Sequence, residues 1–160
     1  ALDITTDGRV SLGISMGQQN LYSGGTASTA ALVAGEWTHV AVVFAPNTGS
    51  ASYYFDGMSA GSTAIPGAYM AQWNASGTGM TATTSLGFSH SALPLKGDLD
   101  EVRIWHSGRT PGDIVADMCA TLIGNEPSLG LWFPFDVDQN DHGPGNVPFS
   151  IYQGANIAAH

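Results

Sequence analysis

Two acidic clusters carry the residue types best suited to chemistry. The stretch 97–114 reads GDLDEVRIWHSGRTPGDI, with Asp98, Asp100 and Glu101 at the head of an alternating apolar run. The second cluster is Asp136-Val137-Asp138-Gln139-Asn140-Asp141. Carboxylates at such spacing can catalyse, ligate a cation, or pair with donors of their own chain. A buried carboxylate left alone is too costly to keep, so each of these acids needs solvent or a partner.

Strict alternation from Leu99 places Leu99, Glu101, Arg103 and Trp105 on one strand face, and Asp98, Asp100, Val102 and Ile104 on the other. Acids and core residues then share a face, a conflict that a bulge near Asp100 or a bound cation would relieve. Ca²⁺ takes roughly six to eight oxygens, so backbone carbonyls or other acids would have to join Asp98 and Asp100. The bland alternative leaves Asp98 and Asp100 solvated at the strand entrance and pairs Glu101 with Arg103 or Arg109. In the second cluster, Asp136 and Asp138 fit the first positions of an EF-hand loop. Asp141 stands where Gly is required, however, and Val147 where a bidentate Glu belongs, so only a looser Ca²⁺ loop or a solvated turn remains.

Other chemistries find little support. The five histidines (39, 90, 106, 142 and 160) show no zinc spacing, and there is no Gly-x-Ser-x-Gly elbow. Cys119 reads as a core residue beside a helical apolar stripe. The remaining candidates are loop aromatics. Tyr69 and Trp73 lie in a Gly-rich segment beside Gln72 and Asn74, where an exposed ring would suit the apolar face of a sugar. Asn74-Ala75-Ser76 is also an N-glycosylation acceptor sequence.

The elements that must position these residues are short and alternating. Leu2 and Ile4 lead through Asp7-Gly8 to Val10 and Leu12; Val40, Val42 and Phe44 share a face; Asp56-Gly57 reverses the chain after Tyr53-Tyr54-Phe55. Further strands are expected over 83–88 and 96–105. One helix is expected near 111–123, with Thr110 as cap, Pro111 in the first turn, Asp113 three residues after the cap, and an Ile114, Met118, Leu122 stripe. The chain has 160 residues, of which only 11% are charged, with a formal charge of −9. Such a balance disfavours nucleic acid and anionic membranes as partners, and no apolar run is long enough for membrane insertion as a helix.

Three stretches in order, GEWTHVAVVF (35–44), SYYFDGMSAGS (52–62) and GDLDEVRIWHSGRTPGDI (97–114), resemble the laminin G-like, concanavalin A-like jelly-roll family. The resemblance implies an all-β fold, an antiparallel β-sandwich, over residues 1–123, with Trp37, Tyr54 and Trp132 inside. It also implies a structural Ca²⁺ at the Asp of the Asp-Glu motif. The family's usual opening strands are not visible ahead of this point. LGLWFPFDVDQNDHGPGN (129–146) resembles them instead, so 124–160 either begins a following repeat or closes this sandwich. Glycosidases of related fold carry a Glu-x-Asp-x-Glu or Glu-x-Asp-x-x-Glu strand that sets its acids about 5 Å apart. The three glutamates here (Glu36, Glu101, Glu126) form no such pattern. The expectation is a non-catalytic extracellular or cell-surface binding and adhesion module for a glycan or a partner protein, with Ca²⁺ in support. A structural repeat meeting neighbouring copies, and an accessory module of a carbohydrate-active enzyme, are the alternatives.

Overall fold

The computed structural model describes residues 2–12, 27–65, 95–136 and 138–148. The chain divides into two compact units, one formed by 1–96 with 110–118, the other by 97–109 with 119–160.

The first unit holds two antiparallel three-stranded sheets. One has the order β1 (Leu2–Ile4), β2 (Arg9–Leu12), β3 (Ala27–Ala31); the other has β4 (Val40–Ala45), β5 (Ser50–Phe55), β6 (Met58–Ala64). Local chemistry sets both hairpins. Thr5 donates to Arg9 O at 2.8 Å and Gly8 to Thr5 O at 2.9 Å, so the first loop is one residue longer than a bare Asp-Gly reversal. At the second, Phe55 faces Met58, and Asp56 and Gly57 both adopt positive φ (49° and 77°), the two-residue turn whose twist suits the strands.

Val10, Ala51, Tyr53, Ala60 and Ile65 form the core, and Leu12, Val40, Val42 and Phe44 pack against it from both sheets. This unit is therefore the expected antiparallel β-sandwich. Tyr53 is the ring inside: it is fully buried, and its hydroxyl accepts the Leu12 N–H at 3.3 Å from the other sheet. Tyr54, one residue on, faces away and is half-buried, as alternation requires once Tyr53 points inward. β3 and β6 lie against each other through Thr29 Oγ1 donating to Ala60 O (2.9 Å) and Thr63 Oγ1 to Ala27 O (3.2 Å). Gly61 allows that approach, because a Cβ there would sit 2.8 Å from Thr29 Oγ1 and its φ is 113°.

The helix, α1 (Pro111–Asp117), opens with the expected capping box. Asp113 N–H donates to Thr110 Oγ1 at 3.2 Å, and Thr110 N–H to Asp113 Oδ2 at 2.9 Å. It stops at the Met118 cap and not near residue 123. Ile114 is buried with α1, whereas Leu122 belongs to the other unit's core with Leu129 and Trp132, so the four-residue repeat is divided between the two units. Cys119 lies past the helix end and is exposed, correcting its reading as core.

The second unit carries an antiparallel pair, β7 (Val102–Trp105) and β8 (Leu129–Phe133), with Arg103 opposite Trp132. β7 begins six residues later than the sequence suggests because Glu101 has a φ of 51°, which breaks the extended chain. Trp105 packs on Leu122, Leu129 and Trp132, and alternation then turns Ile104 outward, where it is 41% exposed. The expected strand 83–88 lies outside the described residues. No helix among the described residues is long and apolar enough to cross a membrane.

Candidate functional site

Most acids of the second unit are engaged by donors of their own chain. Asp98 and Asp100 precede β7 and are exposed, so the expected clash between acids and core does not arise. Asp100 Oδ1 accepts the Glu101 N–H at 3.0 Å. A single oxygen of Glu101, Oε2, accepts Arg103 Nε (3.0 Å), Arg103 Nη2 (2.7 Å) and the Trp132 indole N–H (2.9 Å). Arg103 also donates to Ala120 O at 2.9 Å. Glu101 thus pairs with Arg103, and the Arg109 guanidinium stacks on the Trp105 ring at 4.2 Å.

Glu126 closes the turn before β8, accepting from Ile123 N–H (2.6 Å) and Gly124 N–H (3.1 Å). Desolvation works to raise its pKa, but these donors prevail and hold it below the usual carboxylate range.

The second acidic cluster is a loop laid along the outer edge of β8. Asp141 is 8% exposed; its Oδ1 accepts from Trp132 N–H (2.9 Å) and Gly143 N–H (2.8 Å), and its Oδ2 from Val147 N–H (2.9 Å). His142 N–H donates to Trp132 O at 2.7 Å and Gly145 N–H to Gly130 O at 2.9 Å. A Cβ at Gly145 would come within 2.8 Å of Gly130 O, so glycine permits the contact. The His142 ring meets Trp132 edge-on at 5.7 Å.

Asp138 binds Asn140 N–H (2.9 Å), Asn140 Nδ2 (2.8 Å) and His142 Nε2 (2.9 Å). The Asn140 backbone N–H first, then the His142 ring and the Asn140 side chain, pull its pKa from 3.8 to about 2. A depressed carboxyl pKa contributes stability above the unfolded value and loses it as pH falls through the folded one. Asp138 is therefore expected to titrate near 2 when carboxyl carbons are followed by NMR, and Asp138→Asn to remove the stability change between pH 3.8 and about 2. A midpoint at the ordinary value would refute the arrangement.

The acids of the second cluster fit Ca²⁺ poorly. Among the described residues no group of three or more His, Cys, Asp or Glu is placed to hold a metal ion. Asp136 is exposed, and both Asp138 oxygens already accept hydrogen bonds. The aromatic candidates Tyr69 and Trp73, and Asn74 with its acceptor sequence, lie outside the described residues.

Besides Tyr54, a second residue expected inside lies outside. Trp37 is 66% exposed on the turn leading into β4, while Trp132 is buried as expected. Two residues after Trp37, His39 and Asp56 exchange hydrogen bonds, His39 N–H to Asp56 Oδ1 (2.8 Å) and Asp56 N–H to His39 O (2.9 Å). They fix the chain beside the β5–β6 reversal, so the core face begins only at Val40. Large apolar residues are ordinarily buried, and nothing in the local pattern marks this one as an exception.

Residues 1–115 match the family model of the concanavalin A-like lectin/glucanases superfamily, laminin G type. A proposed carbohydrate binding protein from Bacteroides ovatus has a similar fold, with a TM-score of 0.50 and 20% identity over 69% of this chain and 31% of that one. An S-layer domain-containing protein from Clostridium thermocellum gives a TM-score of 0.37 and 21% identity over 57% of this chain and 43% of that one. The chain thus spans less than half the length of either structure. No curated protein matches it.

Proposed function

Because this chain belongs to the concanavalin A-like lectin/glucanase superfamily, we propose that it is a non-catalytic recognition module for glycans, acting outside the cell or on its surface. The observation that carries the reading is the disposition of the glutamates. Retaining glycoside hydrolysis needs two carboxyl groups about 5 Å apart and free to exchange protons. Glu101 is bound to Arg103 and Trp132, and Glu126 to two backbone N–H groups. Such carboxylates suit a scaffold. The carbohydrate binding proposed for the Bacteroides ovatus protein of similar fold supports glycan as the ligand class.

Ca²⁺ enters this reading only as structural support near Asp98 and Asp100, where carbonyls or water would complete the shell. Binding of the chain to an immobilised glycan library, with Ca²⁺ and with EDTA, tests both points. Selective binding is expected, and equal binding in EDTA would remove Ca²⁺. Self-association without glycan binding would replace the reading by a structural repeat.

A further inference from the structure

We propose that the turn Val33–Trp37 is the stacking platform for an uncharged sugar ring, a proposal that rests on the glycan reading above. Two large apolar side chains of this five-residue turn are in water: Val33 is 58% exposed and Trp37 66%. Between them Gly35 has a φ of 85° and no heavy atom within 4 Å of where a Cβ would lie, so the crown of the turn is open. Glu36 N–H donates to Val33 O at 3.3 Å and closes the turn, and the His39–Asp56 pair anchors its exit.

An indole on a fixed turn presents a flat apolar face, which suits the C–H face of a pyranose. Charge selects the ligand. The exposed Glu36 carboxylate beside Trp37, in a chain of charge −9, can accept from sugar hydroxyls and repels carboxylated or sulfated sugars. Neutral hexoses and N-acetylhexosamines fit; uronates, sulfated glycans and sialosides do not.

The test uses the full chain, immobilised neutral oligosaccharides, and polygalacturonate and chondroitin sulfate as anionic probes. The unmodified chain is expected to bind neutral probes only. Trp37→Ala should weaken that binding at least about tenfold, the scale of one lost aromatic–sugar stack, and Trp37→Phe should retain part of it. Titration with the bound oligosaccharide should shift tryptophan emission, and the shift should vanish in Trp37→Phe. Because Trp37 is so exposed, both variants should keep the parent's circular dichroism spectrum; should Trp37→Ala fail to fold, Trp37→Phe and the emission shift decide. Unchanged neutral-glycan binding in both variants overturns the platform while the glycan reading stands. Binding of anionic probes alone overturns the ligand class. No binding to any probe overturns both.

Discussion

Gly61→Val is expected to remove much of the stability of the sandwich. The backbone at Gly61 has a φ of 113°, a region that residues with a side chain rarely occupy. A Cβ there would lie 2.8 Å from Thr29 Oγ1, 2.9 Å from Thr29 Cγ2 and 2.9 Å from the Thr29 backbone N. Backbone strain and overpacking each cost about 1 to 3 kcal/mol, so the sum is about 2 to 6 kcal/mol. Typical domains hold only about 5 to 15 kcal/mol in total. Thermal unfolding should move down by on the order of 10 °C. Thr29→Ala in the same chain should restore only part of the loss, because the backbone N stays where it is. Full rescue would show that side-chain crowding alone keeps β3 and β6 at this separation, and an unchanged melting temperature would refute the contact.

Asp141→Asn should have a comparable effect in the other unit. The carboxylate receives three backbone N–H groups, two on Oδ1 and one on Oδ2. Asparagine keeps one acceptor oxygen and turns an NH₂ toward an N–H donor, at either the Trp132/Gly143 side or the Val147 side. Losing a charge-assisted bond costs about 1.5 to 3 kcal/mol, and the opposed donors add to it, giving about 3 kcal/mol. Asp141→Ala should cost a similar amount. Denaturant unfolding followed by tryptophan fluorescence measures the loss, and hydrogen exchange at the Trp132 and Val147 amides locates it. A change below about 0.5 kcal/mol, ordinary for a surface substitution, would mean the loop is held by something else.

The parts of the fold set by local rules were legible in the residues. Alternation from Val40 to Phe44 specifies the inward face of β4, and the Asp56-Gly57 turn sets Phe55 opposite Met58, although the β5–β6 register shifts between Tyr53 and Tyr54. The helix start was legible for the same reason, since Thr110 and Asp113 act over a single turn. What escaped depends on partners distant in sequence. The apolar repeat from Ile114 to Leu122 looks like one stripe until its members are seen in different units. Glu101 gives no sign of adopting a left-handed backbone, since Gly is the residue that usually announces one. Asp141 was noticed only as a misfit in an EF-hand pattern, when its role is to bind the backbone of β8. The family resemblance puts Trp37 inside; its exposure follows from where the His39–Asp56 clasp starts the sheet.

The loop along β8 has a bearing on how copies of this protein can join. One edge of β8 is occupied by β7, and on the other the Gly130 and Trp132 carbonyls and the Trp132 N–H are already taken. A second molecule arriving there finds no row of vacant main-chain groups to extend. Growth of a fibre by adding strands is blocked at this margin, and any lateral assembly through it must rely on side chains, whose substitution can tune it without disturbing the sheet.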